Sequence, residues 1–192
     1  ACPPRNLLAT ARLVDSLDVE GSPRLAVDGA GVAEGTTWRA ESGVRFLTAA
    51  GSLTFDLGAD MPIAAALVQG DAWNGFSLQV SDDGAAFREI WAVPKVGAQG
   101  RGMQLRSTLF SGVHGRFVRF GEAMGNGSRS LSEVQLFCEI PIDWPAPPVV
   151  TAEAPSPPSS PRSWHHLTRH DTNILKALLA FLGAALLWWG LV

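Results

Sequence analysis

The chain reads as an all-β fold, a jelly-roll β-sandwich, followed by a proline-rich linker and a single transmembrane helix. Three observations predict this. Short apolar runs punctuated by glycine continue to about residue 143, seven prolines fall between positions 145 and 161, and from 174 to 192 every residue but Lys176 is apolar or small. Many short strands without amphipathic helical stretches can bury a core only by packing sheet on sheet.

The runs cover residues 53–57, 63–68, 76–80, 87–93, 117–120 and 134–137. Phe76-Ser77-Leu78-Gln79-Val80 and Val134-Gln135-Leu136 alternate with the period of a half-buried strand. Asp82-Asp83-Gly84 has the chemistry of a hairpin turn, its glycine free to take positive φ, and Phe87 then returns an aromatic ring to the core. Asn126-Gly127 marks a second turn and, with Ser128, a glycosylation acceptor pattern. Gly112-Val113-His114-Gly115 reads as a loop. In Arg116-Phe117-Val118-Arg119-Phe120, apolar side chains turn inward while the arginines seek acceptors, and Arg119 is expected to pair with a carboxylate such as Asp56.

A length of 192 residues allows one domain of about 140 residues plus extensions. With 46% hydrophobic and 17% charged residues the chain is not intrinsically disordered, and a net charge of −3 supplies no basic field for nucleic acid. Only Lys95 and Lys176 among the 15 basic residues are lysines and tyrosine is absent, so arginine and tryptophan must carry recognition. Before residue 143 the sole histidine is His114, and no Gly-x-Ser-x-Gly elbow occurs. No nucleophile, base and orienting group can be assembled from these pieces, and the expectation is a non-enzyme.

Cys2 and Cys138 bracket the β region, and a bond between them would close nearly the whole domain into one loop. Such bonds persist outside the cytoplasm. The chain opens at Ala1 without methionine, as a mature protein does after signal-peptide removal. The competing reading takes Ala1-Cys2 as a lipoprotein cleavage site with an acylated Cys2.

Four segments follow: a domain over 1–143, a linker over 144–163, a juxtamembrane stretch over 164–173 and the span over 174–192. The prolines favour extended geometry and give the linker a reach of up to about 50 Å. Nineteen helical residues span about 28 Å, close to the hydrocarbon thickness of a bilayer. The expected orientation is single-pass, with the N-terminal domain extracytoplasmic, in the periplasm or outside the cell. Arg162, Arg169 and Lys176 then lie on the outer side, against the positive-inside tendency. Basic residues beyond Val192, or neighbouring helices in a larger assembly, would resolve this. His166 and His170 stand four apart, a spacing better explained by interfacial solvation than by a cofactor.

Six ordered pieces carry a family resemblance. They are Asn6-Leu7-Leu8; Val27-Asp28-Gly29 with Trp38; Leu53-Thr54-Phe55-Asp56-Leu57-Gly58 with Ile63; Val80-Ser81-Asp82-Asp83-Gly84 with Phe87; Gly115-Arg116-Phe117-Val118-Arg119-Phe120; and Leu131-Ser132-Glu133-Val134-Gln135-Leu136-Phe137. Over residues 2–138 the chain resembles the discoidin, or coagulation factor 5/8 type C, domain, which is similar to galactose-binding-like carbohydrate modules. The resemblance implies a non-catalytic binding jelly roll whose chain ends are joined by Cys2 and Cys138. It also implies a calcium site at Asp28, Thr36 and Glu133, with carbonyls of residues 25–31 completing the oxygen shell. Two departures count against that site: Ala30 stands where members often carry Asn or Asp, and the loop to Trp38 is three residues longer.

The resemblance further places ligand loops at one end of the sandwich, among residues 38–46, 70–75 and 97–103. In Gly70-Asp71-Ala72-Trp73-Asn74-Gly75 an aromatic sits between polar and turn residues. Trp73 would stack on a sugar ring or lipid headgroup, with Asp71 and Asn74 hydrogen bonding; otherwise it closes the core. Arg101 and Arg106 would bind an anion or solvate an edge strand. The function expected is recognition of a glycan or another surface ligand by a membrane-anchored module. The alternative is an accessory subunit whose helix, with Gly183, Ala184 and Ala185, docks against other integral membrane subunits while the jelly roll caps their outer face.

Overall fold

The computed structural model of the chain describes residues 2, 3, 5–97, 100–121 and 129–144. Among them no helix is long and apolar enough to cross a membrane. The predicted linker from 145 onward, the juxtamembrane segment, the span and the Asn126 turn lie outside the described residues.

The architecture is all-β. Eight strands, β1 (Arg12–Leu17), β2 (Val19–Glu20), β3 (Val44–Phe46), β4 (Ser52–Asp71), β5 (Phe76–Ser81), β6 (Arg88–Val93), β7 (Met103–Gly121) and β8 (Arg129–Phe137), are joined by loops with short 3-10 turns. They form one curled sheet in the order β2-β3-β8-β4-β7-β5-β6, with β1 on the far side of the first half of β4. Every pairing is antiparallel.

Two long strands make the fold. The predicted runs 53–57 and 63–68 are the halves of β4, joined through bulges between Asp56 and Met61 and between Ile63 and Ala65, with Gly58 at φ +85°. A bulge bends a strand without ending it. β7 follows β4 along its whole length, so the predicted loop at 112–115 is instead strand, and His114 lies opposite Pro62. Folding this ribbon back brings both of its ends to one pole. Ser77 pairs with Gly121, which pairs with Ser52, while the Phe76 ring packs on Gly70 so closely that a Cβ there would meet it at 2.8 Å. The opposite pole holds the bends, the 82–86 hairpin and the Cys2–Cys138 disulfide, whose Cα atoms are 5.7 Å apart. The disulfide reading of the two cysteines therefore holds.

The core lies between the layers of the folded sheet. Phe46, Phe76 and Phe120 form a triad with ring centroids 5.3–6.4 Å apart, surrounded by Leu53, Phe55, Leu78, Val80, Val118, Leu131 and Leu136. Asn6 ties the N-terminal segment to it: Oδ1 accepts from the Leu8 and Leu136 amides at 3.0 Å, and Nδ2 donates to the Val27 and Val134 carbonyls at 3.3 Å. That is why a buried asparagine precedes two leucines in the first of the six pieces.

The expected partner of Asp56 is corrected by the register. Arg119 stands opposite Thr54, with its guanidinium 3.8 Å from the Phe87 ring centroid, and Asp56 instead takes Arg116 in a two-pronged contact at 2.9 and 3.1 Å, Arg12 at 3.1 Å and the Gly58 amide at 2.8 Å. Hydrogen bonds from Arg116, then from Gly58 and Arg12, hold the Asp56 carboxyl well below the usual range. Asp83, which accepts from the Ala85 and Ala86 amides and Ser81 Oγ, is lowered to about 2. A carboxyl depressed in the fold stabilises fully above its unfolded value and loses that contribution as pH falls through its folded value. Melting temperature should therefore drop as pH falls below about 4. In Asp56→Asn the melting curve starts lower at pH 7 and falls less steeply in acid; a slope equal to that of the parent would refute this role.

Candidate functional site

At the pole where the ribbon ends meet, the backbone of Ala72 is a hub. Its N–H donates to the Gly102 carbonyl at 2.9 Å, and its carbonyl accepts from the Val96 and Gly97 amides at 2.9 and 3.0 Å. Gly102 packs in turn on residues 35 and 36, and the amides of Gly35 and Met103 complete a two-way exchange across 35, 36 and 103 at 2.8 and 2.9 Å. Three loops are thus knotted together, and the methyl of Ala72 is wholly buried at their centre. Gly102 is needed for this approach, and Gly35, Gly97 and Gly102 all have positive φ.

Trp73 leaves this knot for solvent and is 57% exposed, so it does not close the core. Asp71 fixes the loop around it: Oδ1 accepts from the Trp73 and Asn74 amides and from Asn74 Nδ2 at 2.8–3.1 Å, and Oδ2 accepts from the Ser130 amide at 2.7 Å. The Asp71 carboxylate is thus spent on the scaffold, while Asn74 keeps its side-chain oxygen. Lys95 and Arg101, the neighbours of Val96 and Gly102 in the knot, are exposed, and no ion pair engages either among the described residues. Trp38, from the predicted 38–46 loop, lies under the Arg45 guanidinium at 4.4 Å, and Arg45 is held by Glu20.

Beneath the loops sit two buried arginines. Arg129 Nη2 donates to the Thr48 and Ala49 carbonyls at 2.7 and 2.9 Å. Arg106 lies in the first half of β7, which pairs with β4 on one edge only, but it is 4% exposed and so does not solvate that edge; its Nη1 donates to the carbonyls of Asp71 and Pro94, the roots of the Trp73 and Lys95 loops, at 3.1 and 3.4 Å. Its Nε and Nη2 have no hydrogen-bond partner. Burial pushes the Arg106 pKa down to about 10 against the opposing pull of Asp71. Lys95 and the Ala72 hub went unnoticed in the sequence; the rarity of lysine was the only available signal for the former.

The three residues proposed from resemblance for calcium separate into two places. Asp28 and Glu133 meet: the Gly29 amide donates to Glu133 Oε1 at 3.1 Å, and Asp28 Oδ1 accepts from the Ala30 amide at 2.8 Å. Glu133 is 1% exposed with Oε2 buried and unpartnered, and burial, with Asp28 adding to it, pushes its carboxyl up to about 7. Gln69, beside Glu133 in the register, clamps Val32 through both its backbone N–H and carbonyl. Thr36 belongs to the loop knot instead, its hydroxyl donating to the Ala33 carbonyl at 2.5 Å. Among the described residues no group of three or more His, Cys, Asp or Glu gathers. An orphaned carboxylate oxygen beside a second carboxylate fits a hard cation, which would answer the unmet charge.

At the other pole a concavity of about 340 Å³ is lined by Pro3, Phe137, Glu139, Ile140, Pro141 and Ile142. It contains none of the candidate ligand or metal residues.

No protein-family model matches the chain, and no curated protein matches it. Among solved structures it is similar to a Streptococcus pneumoniae fucose binding module, at 18% identity and TM-score 0.51, covering 70% of this chain and 95% of that one. It is also similar to a fucolectin from striped bass (Morone saxatilis) serum, at 16% identity and TM-score 0.53, covering 69% of this chain and 48% of that one. A third likeness is to CBM32-1 from a family 31 glycoside hydrolase of Clostridium perfringens, at 12% identity and TM-score 0.50, covering 70% and 99%. At these identities the shared property is the fold, an antiparallel β jelly roll.

Proposed function

We propose that this chain is a non-enzymatic glycan-binding module, and that its ligand seats on Trp73 at the knotted pole. The observation that carries the reading is an exposed tryptophan on a loop whose every backbone turn is fixed from within. A ring presented that way stacks on a sugar face without an ordering cost on binding. Asn74 Oδ1 and the Arg101 guanidinium supply the polar contacts that select among hydroxyl patterns. The fold is shared with a fucose binding module and a fucolectin, which supports the class of ligand. The disulfide supports an extracytoplasmic setting, and the apolar stretch at 174–192 supports attachment to a membrane through the proline-rich linker.

A glycan array probed with the full chain tests this. Trp73→Ala should lower affinity for any glycan bound by at least about tenfold, the scale of one buried aromatic contact, with the melting temperature unchanged. Absence of binding to every glycan by a folded chain would dismiss the reading.

A calcium ion would be held by Asp28 and Glu133, and its role would be to fasten the 28–32 loop to β8. A carboxyl raised in the fold favours its protonated form, so its contribution is full below the ordinary 4.5, and is lost as pH rises through about 7. Without calcium, Glu133→Gln should therefore stabilise the protein at pH 8 by about 2 kcal/mol. Added calcium should raise the melting temperature of the parent chain at that pH and leave Glu133→Gln unmoved. Equal calcium shifts in both would remove Glu133 from the site.

A further inference from the structure

We infer that the glycan recognised at the Trp73 pole carries a carboxylate, as a uronate or a sialic acid does; this rests on the reading just given and specifies its substrate class. Trp73, Lys95 and Arg101 are far apart in sequence, yet each adjoins one of three residues, 72, 96 and 102, that hydrogen bond directly through Ala72 at 2.9 Å. Two exposed cations therefore adjoin the same backbone knot as the exposed Trp73, on a chain whose net charge is −3 and which holds only two lysines. The acids nearby form no ion pair with either cation. Asp71 is filled by its own loop and by Ser130, and Glu34, which accepts from the Leu105 amide at 3.0 Å, is the remaining described carboxylate against this knot.

Arg106 is the second, independent observation. A guanidinium this buried ordinarily has its donors met, and here two nitrogens remain unpartnered under the roots of the Trp73 and Lys95 loops. Its charge, partly offset by the Asp71 carboxylate, stays in the low-dielectric interior beneath the binding surface, where solvent screens it least. A neutral sugar gains nothing from that field. A carboxylate does, and the planar Arg101 group also offers it a two-pronged contact. In this arrangement Trp73 supplies the stacking platform, Lys95 and Arg101 touch the anion, and Arg106 is a positioning residue that also sets the sign of the potential.

The test is a titration of the full chain, in a sugar-free non-ionic detergent, with matched probes: oligogalacturonate against its methyl ester, 3′-sialyllactose against lactose, and chondroitin sulfate against desulfated chondroitin. The expected result is at least a tenfold preference for the acid in one of the first two pairs. That preference should shrink as salt rises from about 50 to 300 mM, because exposed charges are screened over that range. The double variant Lys95→Gln/Arg101→Gln, checked for an unchanged melting curve, should bring the preference close to one. Equal binding of acid and neutral partner would overturn the anionic assignment while leaving glycan binding in place, and a preference surviving in the double variant would overturn its placement on Lys95 and Arg101. Preference confined to the sulfated probe would overturn the carboxylate. Binding to none of the six, or to any array glycan, would remove the glycan reading itself.

Discussion

Replacing both Cys2 and Cys138 by serine is expected to lower the unfolding free energy by about 4 kcal/mol, because the bond closes a loop spanning nearly the whole domain and its loss frees the unfolded chain. The same change should leave the Trp73 pole intact in whatever fraction remains folded, since the disulfide lies at the opposite end. Denaturant melts of the double variant, or of the parent under reductant, give the first quantity; glycan affinity measured well below the midpoint gives the second. A loss under about 1 kcal/mol would mean that Asn6 and the core already hold the N-terminal segment without help. A large loss of affinity in the folded state would mean that the two poles are coupled.

Gly102→Ala should be the most damaging single-methyl change at the candidate site. Gly102 has φ +60°, and a Cβ there would lie 2.3 Å from the Gly35 carbonyl oxygen and 2.5 Å from that of Thr36. Both obstacles are backbone, so neither can rotate aside; one of the knotted loops must move. The combined cost of left-handed strain and overpacking is about 3 kcal/mol or more, and glycan binding should be lost along with it. Gly97→Ala is the control. Gly97 also has positive φ, at +74°, but nothing lies within 4 Å of the added methyl, so it should cost only the strain of about 1 kcal/mol. Similar melting temperatures for the two variants would show that the knot yields.

Strands such as Phe76–Ser81 and the end of β8 were legible in the sequence because apolar and polar residues alternate cleanly, although the fold buries both faces of Phe76–Ser81. β1 was not: its side chains are mostly exposed, and it exists because its backbone pairs with β4 from Leu17 to Arg12. The first half of β7 escaped for a related reason, since Gln104, Arg106, Ser107 and Thr108 read as surface, and the strand exists there because its backbone pairs with β4 from Met103 to Leu109. Trp73 could be named from its polar neighbours, but its exposure depends on how Asp71 ties the loop to Ser130, a contact 59 residues distant. Likewise, Asp28 and Glu133 came from an ordered set of motifs, whereas the place of Thr36 depends on its carbonyl meeting the Met103 amide, a contact that no local pattern announces. Small residues at 35, 72 and 102 carry no hydrophobic pattern, and what they do arises only when distant loops meet.

β8 runs from the Trp73 pole, where the Ser130 amide meets Asp71, to the disulfide pole at Cys138, pairing with β3 over 129–131 on one side and with β4 over 131–137 on the other. A pull exerted by a bound ligand against the chain leaving after residue 138 therefore runs along β8, not across it. The ladders on its two sides are loaded in shear, so that their bonds must give way together instead of opening one by one from an end. Tension entering at Cys2 crosses directly to Cys138 through the sulfur bridge and bypasses the sheet. A domain loaded in this way resists unfolding through the rate of one concerted rupture, and its mechanical lifetime follows the unfolding barrier more than the equilibrium stability.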